Sequence, residues 1–256
     1  MNIHSNSQIH STAELGKDVQ VGPFSTLGPG VKIGERTEIG PNVHIEGGAS
    51  IGADCRIFHG ASIGGDPQIK GIQGVSSSLE IGDKTTVREF VTIHRSGKEN
   101  EKTIVGKGCL LMAYTHIAHD CKIGDEVVLV NATQLSGHVI AEDNAFISGM
   151  IGAHQFVRFG KLSMTGGMSR IVKDILPFCT VEGNPARLIG TNAVGLKRAG
   201  MAPVKRNGIK KAVSIFMHKE LNITQAIKKI EDEIEISEEI RYLINFAKQS
   251  DRGIIK

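Results

Sequence analysis

Residues 15–40 read LGKDVQ, VGPFST, LGPGVK, IGERTE, IG, and that stretch decides the fold. Each block of six opens on an aliphatic residue followed by glycine: Leu15-Gly16, Val21-Gly22, Leu27-Gly28, Ile33-Gly34, Ile39-Gly40. Extended backward, the same slot holds Ile9 and Ile3; extended forward it holds Ile45, Ile51, Ile57 and Ile63. The pattern resumes at Ile81, Val87 and Ile93, and again at Val105, Leu111, Ile117, Ile123, Leu129, Leu135, Ile147 and Phe159. All these positions differ by multiples of six, so both interruptions preserve the register.

A short strand plus a turn consumes about six residues, and successive side chains on a strand alternate between faces. Three such segments close a triangular coil of about 18 residues, a turn of a parallel β-helix. The aliphatic residue points inward and stacks on its equivalent one coil away, at roughly the 4.8 Å spacing of paired strands. Glycine after it is expected to supply the backbone freedom needed at the corner. Four positions after the aliphatic stands a small or β-branched residue, among them Val19, Ser25, Thr37, Cys55, Cys109 and Cys121. The cysteines in that column are expected to be core fillers. The hexapeptide-repeat class that this period resembles is the left-handed parallel β-helix, a mainly β fold.

The composition suits a narrow repetitive core, with aromatics at 4%, no Trp and 31 Gly in 256 residues. A formal net charge of +3 is too small to imply a nucleic-acid partner. Residues 1–15 contain no apolar signal segment, and no run approaches the ~18 apolar residues of a transmembrane helix. Cys55, Cys109, Cys121 and Cys179 form no CxxC pair. The expectation is a reduced, cytoplasmic protein without a disulfide framework or zinc ribbon.

Two insertions interrupt the coils. The first, residues 64–79 (GGDPQIKGIQGVSSSL), must loop out on the face where solenoids tend to bind. The second, residues 96–102 (SGKENEK), reads as a solvated turn. The hexad is expected to fade after Phe159 and to be broken by Pro177 and by Gly183-Asn184-Pro185. Residues 203–221, 224–236 and 237–249 then show apolar spacings of three and four, as at Ile240, Leu243, Ile244 and Ala247. These predict amphipathic helices capped by Asn222 and Ser237. The chain thus divides into a β-helical domain, residues 1–190, and a C-terminal α-helical domain, residues 191–256.

Within this scaffold, residues 112–121 (MAYTHIAHDC) place histidines and an aspartate where the repeat otherwise uses inert residues. Residues about 18 apart sit one coil above another, so His119 lies beside Gly137 and Gly137 beside Gln155. Asp120 lies beside His138 in the neighbouring column, with His154 next to Gln155 and His116 on the same coil as His119. A histidine accepts a proton from a hydroxyl or amine near neutral pH, which makes His119 a candidate general base. A glycine one coil away offers an unshielded N–H suited to the oxyanion of acyl transfer.

The strings TIHR (92–95), HIAHDC (116–121), SGHV (136–139), AHQF (153–156), EGNP (182–185) and GLKR (195–198) resemble the UDP-N-acetylglucosamine acyltransferase family. The resemblance covers essentially the whole chain. It implies a homotrimer with sites between subunits. It also implies transfer of an (R)-3-hydroxyacyl chain from acyl carrier protein to the glucosamine 3-position of UDP-GlcNAc, the first step of lipid A synthesis. By that resemblance His119 is the base, Asp120 orients or stabilises it, and Gly137 makes the oxyanion contact. Lys70, His116, His138, His154, Gln155, Asn192 and Arg198 would bind sugar, pyrophosphate or acyl-pantetheine, and Gly167 would gauge acyl length. No metal or cofactor is implied, because the thioester arrives already activated on the carrier protein.

The chain departs from the family where an acid usually stands two residues before the loop lysine; here Gln68 precedes Ile69-Lys70. That leaves the acceptor open between a 3-hydroxyl and the 3-amine of an analogue. Ala199 likewise replaces a second basic residue after Arg198. The related N-acyltransferase acting later in the pathway carries an extra N-terminal uridine-binding domain, and the repeat here begins at Ile3. A third reading is a γ-type carbonic anhydrase, with His116, His119 and His138 as zinc ligands; the HxxH spacing and the helical tail argue against it. The cluster Lys197, Arg198, Lys205, Arg206, Lys210 and Lys211 would suit an acidic carrier protein.

Overall fold

A computed structural model describes residues 2–72 and 74–256; Met1 and Gln73, the latter inside the predicted first loop, lie outside the described residues. The hexads form strands of mostly two residues, gathered into three sheets of 11, 9 and 8 strands that wind as a left-handed parallel β-helix. Equivalent positions pair at the expected offset, as in Asn2 with Gln20, Gln8 with Thr26 and Glu14 with Lys32. Across the first insertion Arg56 pairs with Thr86, and across the second Thr92 pairs with His116. Those spacings of 30 and 24 exceed a coil by whole hexads, which is why the aliphatic slot survives both loops.

The aliphatic slot is buried throughout, from Val21 to Ile171. The second column does more than fill space. Ser25, Thr37, Thr85 and Thr133 each donate a hydroxyl to a carbonyl on the next coil, at 2.7–3.0 Å. Cys55, Cys109 and Cys121 use their thiols in the same way, toward the carbonyls of Gly82, Gly124 and Ser136. Burial pushes the Cys109 thiol up to about 11 and that of Cys121 up to about 12, so these are inert packing groups.

Two expectations are corrected. With the exception of Gly64, at φ 85°, the glycine after the aliphatic residue does not supply the corner's left-handed conformation. That falls two residues later, on Asp18, Phe24, Arg36, Asn42 and Asp54, all with φ between 55 and 60°. The glycine instead permits close approach of the next coil: a Cβ on Gly34 would lie 2.4 Å from the carbonyl carbon of Gly52. Nor does the hexad end at Phe159. It runs on through Thr165 and Ile171, paired with Ile147 and Ala153, with a threonine hiding the slot from an aliphatic search.

Cys179–Gly183 closes the first sheet and turns back through a cis Asn184–Pro185 bond into the antiparallel strand Ala186–Thr191. Helix α1 (Ala193–Arg198) follows, and its single turn-and-a-half was not signalled by periodicity. Helices α2 (Pro203–Phe216), α3 (Ile223–Glu233) and α4 (Glu238–Lys248) bury their apolar faces together. Asn222 forms a capping box with Gln225, and Ser237 caps α4. The tail returns to the last coils through Asp174, 1% exposed, whose carboxylate accepts from Arg158 N at 2.9 Å and Ser250 Oγ at 2.7 Å.

The steric reading of the glycines predicts an inverted order of sensitivity. Gly34→Ala, which meets backbone, should cost about 3 kcal/mol. Gly30→Ala, at φ +67° with open space around it, should cost only about 1 kcal/mol. Thermal midpoints of the two variants check this, and an equal or reversed order would restore the conformational explanation.

Candidate active site

The corner between the second and third sheets stacks three dipeptides: His119-Asp120, Gly137-His138 and Gln155-Phe156. Backbone bonds His138 N to His119 O (3.1 Å) and Phe156 N to Gly137 O (3.2 Å) hold them one above another. Asp120, His138 and Phe156 occupy the left-handed corner position, at φ 60, 61 and 66°. The coil geometry therefore aims these side chains out along one edge.

His119 is 7% exposed, and its Nδ1 lies 2.6 Å from Asp120 Oδ2. The carboxylate thereby fixes the tautomer, keeping the proton on Nδ1 and the lone pair on Nε2. Nε2 faces the space left by the missing side chain of Gly137, where a Cβ would lie 2.5 Å from it. Burial alone would raise the Asp120 carboxyl, but hydrogen bonds from Ser96 and His119 and the field of His138 hold it below the ordinary range. His138 approaches the same Oδ2 at 3.5 Å and stacks on Phe156, with ring centroids 4.6 Å apart.

His116 sits on the preceding strand. Its Nδ1 lies 2.7 Å from Thr92 Oγ1, and its ring meets the edge of His94 at 5.0 Å. Burial, reinforced by His94 and His119, pushes its pKa down to about 4, so it is neutral at physiological pH. His94 is lowered in the same direction, chiefly by burial. Among the described residues, His94 Nδ1 and Arg95 Nε are buried without hydrogen-bond partners, and Arg95 is ion-paired to Asp66.

Sequence reasoning missed His94, and it misread the second insertion. Residues 96–102 are not merely a solvated turn: Ser96 is fully buried and donates its hydroxyl to Asp120 Oδ1. Gly97 lies beneath Ile69 of the first loop, beside both His119 and Asp120. Only the stacking of Thr92 on His116, hidden by the enlarged offset, could have shown this.

The single chain does not bring every predicted residue to this edge. Gln155 is on the edge and exposed, whereas Lys70 and His154 are exposed beside it, with His154 Nδ1 3.2 Å from the Gln155 carbonyl. Asn192 is occupied as the cap of α1, accepting from Gly195 N and donating to the Leu162 carbonyl, both at 2.9 Å. Arg198 is exposed at the end of α1. Gly167 stands on the corner between the first and second sheets, where a Cβ would meet only Gly149 O at 3.6 Å. That same corner carries exposed Phe90, Tyr114, Met150 and Met168, with Phe90 and Tyr114 stacked at 5.3 Å. For a metal, the described residues that converge are His119, Asp120 and His138, with ligand atoms within 4.8 Å of one another; His116 is not in that group. No helix among the described residues is long and apolar enough to cross a membrane.

Residues 174–255 match the family model described as UDP N-acetylglucosamine O-acyltransferase, domain 2, and residues 30–65 and 102–137 match the bacterial transferase hexapeptide model. An acyl-(acyl-carrier-protein)–UDP-N-acetylglucosamine O-acyltransferase of Gloeothece citriformis is 47% identical over 165 residues, covering 64% of this chain and 60% of that relative's length. The enzyme of the same name from Halorhodospira halophila is 40% identical over 255 residues, 99% of each chain. The solved UDP-N-acetylglucosamine acyltransferase of Bacteroides fragilis superposes with a TM-score of 0.94 at 37% identity, over 99% of each chain.

The depressed His116 pKa carries a stability consequence. An unfolded histidine titrates near ~6.5, so acid favours the unfolded chain wherever the folded imidazole resists protonation. Stability should therefore fall as pH drops from about 6.5 toward about 4. His116→Gln should flatten that fall in the thermal midpoint, and an unchanged slope would refute the assignment.

Proposed function

Because the chain belongs to the UDP-N-acetylglucosamine O-acyltransferase family, we propose that it moves an (R)-3-hydroxyacyl chain from acyl carrier protein to the glucosamine 3-hydroxyl of UDP-GlcNAc, the first step of lipid A synthesis. The observation that carries the mechanism is the His119–Asp120 pair, at 2.6 Å, with Nε2 facing the open space at Gly137. His119 takes the proton of the sugar hydroxyl as its oxygen attacks the thioester carbonyl. The C–O bond forms, the C–S bond breaks, and the imidazolium returns its proton to the departing thiolate. Asp120 stabilises the imidazolium, and the Gly137 N–H receives the carbonyl oxygen as it becomes an anion. The thioester is already activated, so neither a covalent enzyme intermediate, a metal nor a cofactor enters this scheme.

The relatives' shared designation as O-acyltransferases favours the hydroxyl over the 3-amine as acceptor. His116, His138, His154, Gln155 and Lys70 then line the sugar and pyrophosphate side. Gly167, Asn192 and Arg198 lie on or near other edges of the prism, which supports a homotrimer in which one subunit's base faces another subunit's acyl groove. The exposed apolar edge at Tyr114, Met150 and Met168 supports the same arrangement. Lys197, Arg198, Lys210 and Lys211 remain exposed on α1 and α2 for an acidic carrier protein, whereas Lys205 is paired with Glu239. The two proposed substrates support a cytoplasmic location for the reaction.

Incubating the protein with a 3-hydroxyacyl carrier protein and UDP-GlcNAc should give the 3-O-acyl ester by mass spectrometry, with far less product from the 3-amino analogue. His119→Ala should lower kcat about 10³-fold while the variant still folds, as circular dichroism would check; near-normal turnover would sink the mechanism. Gly167→Met should shift the preferred acyl chain to shorter lengths in a competition among carrier proteins loaded with different chains, and an unchanged profile would remove Gly167 from the acyl groove.

A further inference from the structure

The Asp120 carboxylate has two suitors. His119 Nδ1 stands 2.6 Å from Oδ2 and His138 Nε2 stands 3.5 Å from the same oxygen, with the two rings perpendicular and 5.2 Å apart. A modest rotation of the carboxylate would exchange one histidine for the other. What opposes that rotation comes from the second insertion. Ser96, fully buried, donates its hydroxyl proton to Oδ1, and Gly97 N donates to Oδ2 at 3.4 Å. The Ser96 oxygen in turn accepts from Lys98 N at 3.1 Å, and the Lys98 carbonyl, at 3.5 Å, is the more distant and weaker of the two acceptors for its proton. The Asp120 backbone is held from the same side, its N–H donating to Thr103 Oγ1 at 2.9 Å.

The insertion is itself anchored. Ser77 Oγ donates to the Ser96 carbonyl at 2.6 Å, Ser96 N to the Ser78 carbonyl at 3.3 Å, and Asn100 N to the Ser76 carbonyl at 2.8 Å. The two loops are thus laced together before either reaches the dyad. We propose that Ser96 is a positioning residue: its hydroxyl holds the Asp120 carboxylate on His119 rather than His138, and so keeps Nε2 of His119 as the basic nitrogen. The proposal rests on the acyltransferase reading above and assigns the second loop a part in it.

The test is a double-mutant cycle on the full chain, using a 3-hydroxyacyl carrier protein and UDP-GlcNAc in single-turnover and steady-state modes. Ser96→Ala should lower kcat about tenfold, the loss expected when a hydrogen bond to a charged group is removed. KM for both substrates should stay within about twofold, because Ser96 touches neither. In an Asp120→Ala background the same change should cost less than about twofold, since there is no carboxylate left to hold. An equal loss in both backgrounds, or a Ser96→Ala enzyme within twofold of the parent, overturns the proposal while leaving the acyltransferase reading intact. Should Ser96→Ala be too unstable to assay, Ser96→Cys keeps a similar shape with a far weaker donor and should reproduce the loss; full activity in that variant overturns the proposal. Failure of the parent protein to transfer at all defeats the underlying reading, and this inference with it.

Discussion

Register between coils is the constraint on which the rest depends. Each strand is only about two residues long and pairs with equivalents one coil above and below, so no strand has stability of its own. A slip of one residue would turn every aliphatic side chain from the core to solvent. The chain meets that demand by admitting insertions only in whole hexads, as the 30- and 24-residue spacings show. Glycines at the close approaches and hydroxyls or thiols bonded to neighbouring carbonyls then lock each coil onto the next.

The edge that carries the His119–Asp120 pair is a by-product of the same register. A corner residue in the left-handed conformation projects its side chain outward, and stacking corners 18 residues apart sets Asp120, His138 and Phe156 in a column. The imidazole–carboxylate pair thus sits on the coil itself, and the second insertion braces it through Ser96 and Gly97. Desolvation keeps His116 neutral and lowers the pKa of His94 and His138 from the ordinary histidine value, while the Asp120 charge pulls His138 the other way.

Much of this was legible in the sequence because the period of six translates directly into contacts. The stacking of His119 on Gly137 and of Asp120 on His138 required only an offset of 18. What escaped did so for identifiable reasons. Thr165 fills a core slot with a residue that an aliphatic search passes over. Asn192 also caps a six-residue helix too short for periodicity to register. Ser96 sits in a run of small and charged residues whose composition says solvent, while its fully buried side chain is set by lacing to the other loop. The role assigned to the repeat glycines was wrong because a preference for glycine has two causes, conformation and crowding, and sequence alone does not separate them.

The triangular cross-section also separates tasks along the molecule's length. The His119–Asp120 pair lies beyond the coils that run from Ile3 to Ile57. Each of those coils advances the structure by about 4.8 Å. They act as a spacer whose length can be counted in whole turns. Lengthening or shortening it by one turn would alter the length of the prism while leaving the His119–Asp120 pair in place, so the dimensions of this scaffold and the geometry of that edge can vary independently.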